Sequence, residues 1–384
     1  MTASACHSAA RPPVVTPPST ASPAPPTAER VRHAFADSVR LVTSDIPNFW
    51  RAYDLAAGKD SAERVRIFEE LYLRPGSAGL RDWIRARLVD NDVVRRRLIE
   101  AGWTAEHMDE WRRLPRGTPQ RDSLERAATP LAQHSAAEEL ARTVAAYPRY
   151  FAAIRATTLA VDTASAVTGA IRRGLRRLSE LYPEARYPDV YFLIGKLTSG
   201  GTVGPSGMLI GTEQLSSGPD TPRDELPQWE QAATRTNSFA QLPGLVVHEA
   251  VHSLQASRAP RKLLERALRE GVPDFLSELV VGPWHAESER QRYGRAHERE
   301  VWLDFKDEML SDSTTRTWMY NGTVLPPRNH GATDIGYWVG YAIAKKYYER
   351  AADKRAAVRE LILVPDAERL LRDSGYPAYA ESLP

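Results

Sequence analysis

Two histidines and a glutamate, His248-Glu249-x-x-His252, have the types and spacing that could do chemistry. On a helix, residues four apart lie on one face, so both imidazoles can reach one ion at about 2.0–2.1 Å. In this pattern the glutamate after the first histidine places its carboxylate beside the metal-bound water rather than on the metal. The motif therefore predicts a zinc site with His248 and His252 as ligands and Glu249 as a general base.

The segment around the motif, residues 242–255, predicts a buried helix. Pro243 suits a first helical turn, and the apolar residues that follow keep a helical period. In an alternative interpretation the two histidines make polar contacts inside a core helix and Glu249 is a surface charge. Histidines buried among Leu and Val each need a partner, and a shared metal ion supplies it.

A catalytic zinc site needs a third protein ligand, and Glu270 is the best candidate. It lies eighteen residues after His252, a distance that allows one helix, a turn and a second helix. Gly271 and Pro273 predict that the second helix begins here. Asp274, one turn further along, is predicted to accept the free ring N–H of a ligating histidine. Alternatively, the two acids only favour a helix N-terminus. Weaker candidates for the third ligand are Glu278, His285 and His297.

Composition excludes several classes of protein. Lys and Arg number 51 and Asp and Glu 49, a net charge of +2 that lacks the basic excess of a nucleic-acid binder. The single cysteine, Cys6, excludes an intramolecular disulfide, a Cys-rich zinc site and an iron–sulfur cluster. No apolar run is long enough to predict a transmembrane segment. We expect a globular protein whose metal ligands are His and carboxylate; its oligomeric state cannot be inferred.

The first thirty residues predict a disordered tether. Seven of the 28 prolines lie in residues 1–27 among Ser, Thr and Ala, and such a segment has too little apolar surface to offset the entropy of ordering. Small residues precede Cys6 as in a degenerate lipobox, which makes Cys6 a candidate lipid anchor, although the expected hydrophobic segment before it is absent. A cysteine without a role in a disordered tail is the alternative. Export to the cell envelope is slightly favoured over a cytoplasmic location.

Residues 31–384 are expected to form one domain of the α+β class, mainly helical. The N-terminal part, 31–185, has a helical pattern that includes 148–181, whose arginine-rich face is expected to be solvated. Two β-like runs, 190–195 and 208–213, flank a glycine-rich turn and predict a small antiparallel hairpin or sheet edge. A helical metal-site core then continues to about Leu371.

These motifs carry a family resemblance. The two histidines followed by Glu270-x-x-x-Asp274 resemble the gluzincin arrangement of zinc metallopeptidases. The surrounding sequence is similar to a narrower group of inferred zinc-dependent proteases of the domain-of-unknown-function kind, which includes relatives of the gliding-motility lipoprotein B family. The similar stretches are residues 43–50, 191–213, 248–252, 270–275 and 334–341. The resemblance covers about residues 35–378 and implies one Zn²⁺ bound by His248, His252 and Glu270.

The resemblance implies hydrolysis of peptide bonds. Zinc would lower the pKa of its water toward about 7, and Glu249 would take up the proton. Candidates to stabilise the developing oxyanion are His330, Tyr337 and Tyr341, although tyrosines at helical spacing are more typical of a core. The run 208–213 is a candidate sheet edge for a peptide substrate, or the preceding glycines only make a turn.

A second function stays open: a non-catalytic binding or scaffold protein of the cell envelope that retains a structural or vestigial zinc site. Glu249 favours the peptidase, because a structural site needs no group to move a proton.

Overall fold

A computed structural model describes residues 33–87, 99–100, 103–104, 106, 109–110, 113–114, 118–163, 165–255, 259–313, 315–321 and 331–384. The predicted tether, Cys6 and His330 lie outside these residues. Backbone contacts group Val31–Pro384 into one compact unit.

Helices dominate the described residues, so the mainly helical α+β class is confirmed. Those before the sheet core are α1 (Asp45–Ala56), α2 (Ser61–Phe68, continued by a π-helical turn over Glu69–Leu73), α3 (Ala78–Arg87), α4 (Pro119–Ala146), α5 (Pro148–Thr163) and α6 (Ser165–Leu181). Those after it are α7 (Gln228–Arg235), α8 (Leu242–Leu254), α9 (Leu263–Val281), α10 (Glu289–Ala296), α11 (Glu298–Glu308), α12 (Thr315–Trp318), α13 (Ile335–Arg350), α14 (Lys354–Leu363), α15 (Ala367–Ser374) and α16 (Tyr376–Ser382). None of these helices is long and apolar enough to cross a membrane.

The sheet has four strands, β1 (Leu41–Val42), β2 (Val190–Leu193), β3 (Gly201–Val203) and β4 (Met208–Gly211), in the order β1-β2-β4-β3. β1, β2 and β4 are parallel, and β3 pairs antiparallel with β4. The predicted antiparallel hairpin is therefore wrong, because the two predicted strands run parallel and a third strand forms between them in sequence. Gly201-Thr202-Val203 is too short and too glycine-rich to be recognised as a strand.

The arginine-rich face of α6 is only partly solvated, contrary to the prediction. Arg172 donates to the backbone oxygen of Val39 at 3.1 Å, and Arg177 donates to that of Val280 at 3.0 Å. Charge-assisted bonds of this kind attach α6 to the segment before β1 and to the end of α9.

The close crossing of α9 and α13 determines where Glu270 lies. A Cβ atom on Gly340 would lie 1.8 Å from the backbone oxygen of Ala267, and one on Gly271 would lie 2.1 Å from the backbone nitrogen of Tyr341. Only glycine allows two helices to approach so closely. The contact fixes the middle of α9, one residue from Glu270.

The prediction that a helix begins at Gly271 and Pro273 is wrong. α9 begins at Leu263 and continues through Pro273, so Glu270 lies in mid-helix. A proline inside a helix costs about 3 kcal/mol. Burial of a continuous apolar stripe on both sides of Pro273 offsets that cost. The stripe includes Leu268, Val272 and Leu276.

Candidate metal centre

α8 presents the motif from the core, as the sequence predicts. Pro243 lies in its first turn, and its buried apolar face includes Val247 and Val251. His248 and Glu249 are 6% and 5% exposed. Two ionisable side chains so deeply buried need partners.

Three side-chain atoms converge beside α8. His248 Nε2 and His252 Nε2 are 3.0 Å apart, and Glu270 Oε2 lies 3.2 Å from the second and 3.9 Å from the first. A tetrahedral zinc ion with bonds of about 2.0–2.1 Å holds its ligand atoms about 3.3 Å apart. The three predicted ligands are therefore brought together, in a group that could hold a metal ion.

The second ring nitrogen of His248 faces Asp274, as predicted. Nδ1 lies 2.9 Å from Asp274 Oδ1, but off the hydrogen-bond direction, so a small rotation of the ring would complete the bond. Asp274 is fully buried, and its Oδ2 accepts from Arg290 Nη2 at 3.0 Å. Burial raises the pKa of Asp274, yet Arg290 and His285 outweigh burial and hold it well below its usual value. An ionised Asp274 favours a metal-binding orientation of His248.

The other two ligands also have a fixed second polar atom. His252 Nδ1 lies 2.8 Å from Gln255 Oε1, and Tyr320 donates its hydroxyl to Glu270 Oε1 at 2.7 Å. His252 and Glu270 are thus anchored by the atom that faces away from the convergence point, and His248 Nδ1 lies beside Asp274 without a formed hydrogen bond. Such partners orient metal ligands and increase their affinity for the ion.

His252 and Glu270 form an ion pair in the absence of metal. Burial raises the pKa of Glu270, but the bond to His252, the charge of His248 and Tyr320 lower it to about 2. Burial lowers the pKa of His252, and Glu270 and Glu249 together raise it to about 9. Metal binding through Nε2 would therefore release a proton from His252.

Glu249 lies between α8 and β3. A Cβ atom on Gly201 would lie 2.6 Å from Glu249 Oε1, so the carboxylate packs directly against the backbone of the strand. Any larger residue at 201 would displace it. This contact gives the glycine a role beyond the turn that the sequence suggested.

Of the predicted oxyanion donors, His330 lies outside the described residues, and the other two have partners. Tyr337 packs edge-on against Tyr320 with the Arg290 guanidinium 4.5 Å from its ring centre. Tyr341 donates to Glu278 Oε1 at 2.8 Å. Burial and then the charge of Glu270 raise the pKa of Tyr337, so of these two tyrosines it is Tyr337 that interacts with a ligand.

The two histidines considered as weaker candidates for the third ligand lie outside the ligand group. His285 approaches Asp274, with 3.5 Å between Nε2 and Oδ2, and His297 stacks on Tyr293.

Three further residues that contact the ligands or Asp274 were not predicted from sequence: Gln255, Arg290 and Tyr320. Gln255 is three residues after His252, and that spacing on a helix end is a usable signal. Arg290 and Tyr320 reach the site from distant parts of the chain, and no local pattern marks them.

Fold and site together define a mainly helical α+β protein with a His-His-Glu group that could hold a metal ion. The chain belongs to the family of the gliding motility protein GldB, whose match covers residues 129–378. Searches of curated proteins and of solved structures found no match. The family's name refers to gliding motility and not to hydrolysis, so the peptidase part of the resemblance stays a prediction.

Proposed function

We propose that this protein works in the cell envelope and binds one divalent metal ion through His248, His252 and Glu270. Two imidazoles and one carboxylate favour zinc. The surroundings of the ligands support the proposal. Hydrogen bonds hold His252 and Glu270, and His248 Nδ1 lies 2.9 Å from the buried Asp274, an arrangement that orients metal ligands. The family of the gliding motility protein GldB suggests the location.

We further infer that the centre is hydrolytic and cleaves peptide bonds. The observation that carries this inference is the buried Glu249, held against Gly201 beside the ligand group. When bound, zinc supplies a Lewis acid and a water of pKa near 7. Glu249 is the group of this chain that takes up the proton of that water and delivers it to the leaving amine.

The outer strand of the sheet suits an extended peptide. In the described sheet β3 is an edge strand. β4, which the sequence predicted as the edge for a peptide substrate, lies between β2 and β3. A peptide that pairs with β3 would pass Gly201 and so come close to Glu249.

A non-catalytic envelope role is the second candidate, and the family match favours it, because that family is named for motility. In this case the metal ion would join α8 to α9 and stabilise the domain, as structural zinc does elsewhere.

Substitution Glu249→Gln separates the two roles. The hydrolytic role predicts one zinc per chain in parent and variant, measured by elemental analysis, and a loss of peptide hydrolysis of about 10²–10⁴-fold. Glu278→Gln is the matched control, because this carboxylate bonds Tyr341 and not a ligand. If zinc stabilises the parent, Glu249→Gln and Glu278→Gln equally, and none of the three hydrolyses peptides, the structural role is supported.

His252→Ala should abolish stoichiometric zinc, and a retained tightly bound ion would contradict the ligand assignment.

A further inference from the structure

The proline inside α9 leaves one backbone acceptor without its helical donor. In a continuous helix the N–H of residue 273 would donate to the oxygen of Arg269. Pro273 has no N–H, and its ring pushes that carbonyl outward. A buried or half-buried carbonyl without a donor is costly, so its new partner is informative.

That partner is Gln255, which also contacts a metal ligand. Gln255 Nε2 donates to Arg269 O at 2.9 Å, and Gln255 Oε1 lies 2.8 Å from His252 Nδ1. The backbone of Gln255 is fixed as well, because its N–H bonds the oxygen of Val251 at the end of α8.

The donor and acceptor chemistry of Arg269 O, the Gln255 amide and the His252 ring determines which atom carries the proton in each of the two hydrogen bonds. A carbonyl only accepts, so the NH₂ end of Gln255 must face Arg269. The amide oxygen must then face His252, whose Nδ1 must donate. When a metal ion displaces the proton on Nε2, His252 therefore keeps the proton on Nδ1 and offers the lone pair of Nε2 to the ion.

We propose that Pro273 and Gln255 are positioning residues of the metal centre. Because Pro273 has no N–H, Arg269 O accepts a hydrogen bond from the Gln255 amide instead. This bond orients the amide, and the amide oxygen selects the tautomer of His252 that binds metal through Nε2. The inference rests on the proposed metal binding and adds to it a reason for a proline in mid-helix.

The proposal predicts that repairing the helix weakens the metal site. In Pro273→Ala the new N–H bonds Arg269 O and competes with Gln255. We expect a metal-free melting temperature at least as high as the parent's, together with zinc affinity reduced about 3–10-fold, because the carbonyl can still accept a second bond. Gln255→Met, which has a similar shape, should weaken zinc binding about 10–100-fold. The dissociation constants are measured by competition with a chromophoric chelator.

Pro130→Ala is the matched control, because Pro130 also lies inside a helix, α4, and is not among the metal-site residues. It should leave zinc affinity unchanged. The double variant of Pro273 and Gln255 should bind no more weakly than Gln255→Met alone, since both changes act through one amide.

The outcomes separate this inference from the proposed function. A parent protein that binds no zinc overturns both. A parent that binds zinc, with Gln255→Met binding it as tightly, overturns only the role of Pro273 and Gln255. Additive losses in the double variant would also overturn it. Gln255→Met leaves the helical hydrogen bonds of α9 unchanged and removes only the side-chain bond to Arg269 O, so the test holds even if Pro273→Ala folds poorly.

Discussion

Two parts of the molecule bury carboxyl groups, and they shift the pKa values of these groups in opposite directions. In the metal centre the pKa of Glu270 is lowered to about 2 and that of Asp274 lies well below its usual value. At the turn after β4 and on α7, the pKa of Glu213 and that of Glu230 are each raised to about 7. All four residues are at most 9% exposed, so burial alone does not decide the charge.

The difference comes from the partners. Burial is the largest influence on Glu213, and its hydrogen bonds come from backbone N–H groups such as that of Leu197 at 3.2 Å. Burial also raises the pKa of Glu230, and the charge of Glu213 raises it further. The acids of the metal centre face imidazoles and Arg290 instead. Cationic partners therefore keep a buried carboxylate ionised and ready for a metal ion, whereas backbone donors alone do not.

Substitution Asp274→Asn should have the largest effect, because it removes the fully buried counter-charge of the half-buried Arg290. We expect the free energy of unfolding to fall by about 3–5 kcal/mol. Zinc affinity should fall about 10–100-fold, because His248 loses its ionised partner. Urea denaturation of the metal-free protein and chelator competition measure the two effects.

Asp373→Asn, an exposed change on α15, is the control and should alter the stability by less than about 0.5 kcal/mol. If Asp274→Asn were as stable as this control, the ionised state of Asp274 would be contradicted.

Glu213→Gln should have an intermediate effect that depends on pH. The folded carboxyl holds its proton up to a pKa of about 7, whereas the unfolded chain releases it near the ordinary 4.5. The parent should therefore lose stability as pH rises from about 4.5 to about 7, by an amount on the order of 3 kcal/mol. Glutamine cannot ionise, so the variant should match the parent near pH 4 and exceed its stability near pH 8.

Denaturation curves at several pH values test this expectation, with Glu368→Gln on the exposed side of α15 as the control. Parallel pH profiles for Glu213→Gln and the parent would show that Glu213 is already ionised when folded, and the contrast between the two regions would disappear.

The same two regions show how far sequence reasoning reaches. The α8 motif, Glu270 and Asp274 could be predicted, because each lies at a helical spacing within a short stretch of chain. The start of α9 could not, because α9 tolerates Pro273 through burial on both sides and through a bond from Gln255, the residue that follows α8. The direction of β4 depends on how β3 pairs, which no local pattern encodes. The buried state of Glu213 is equally non-local.

Tyr320 is held over Glu270 by an unusual backbone. Its φ is +58°, a left-handed conformation that is rare for an aromatic residue, and Asp334 is also left-handed with φ of +56°. Asn321 connects them: its N–H donates to Asp334 Oδ1 at 3.0 Å, and the N–H of Asp334 donates to Asn321 Oδ1 at 2.7 Å. Strain kept in place by such bonds is typical of functional sites.

Of the substitutions Asp274→Asn, Glu213→Gln and Tyr320→Phe, the last should have the smallest effect on stability. It removes a neutral hydrogen-bond partner of Glu270, and so tests whether the charged partners alone keep this carboxylate ionised. Tyr320 is 51% exposed, so water can replace its hydroxyl, and we expect a loss of only about 1 kcal/mol. The hydroxyl occupies Glu270 Oε1 and leaves Oε2 to the metal, so its removal should let the carboxylate bind through both oxygens. X-ray absorption of the zinc-loaded variant should then show one more oxygen neighbour than the parent. Tyr341→Phe, which removes a hydroxyl bonded to Glu278, should not change the spectrum. The same coordination number in all three proteins would limit Tyr320 to packing.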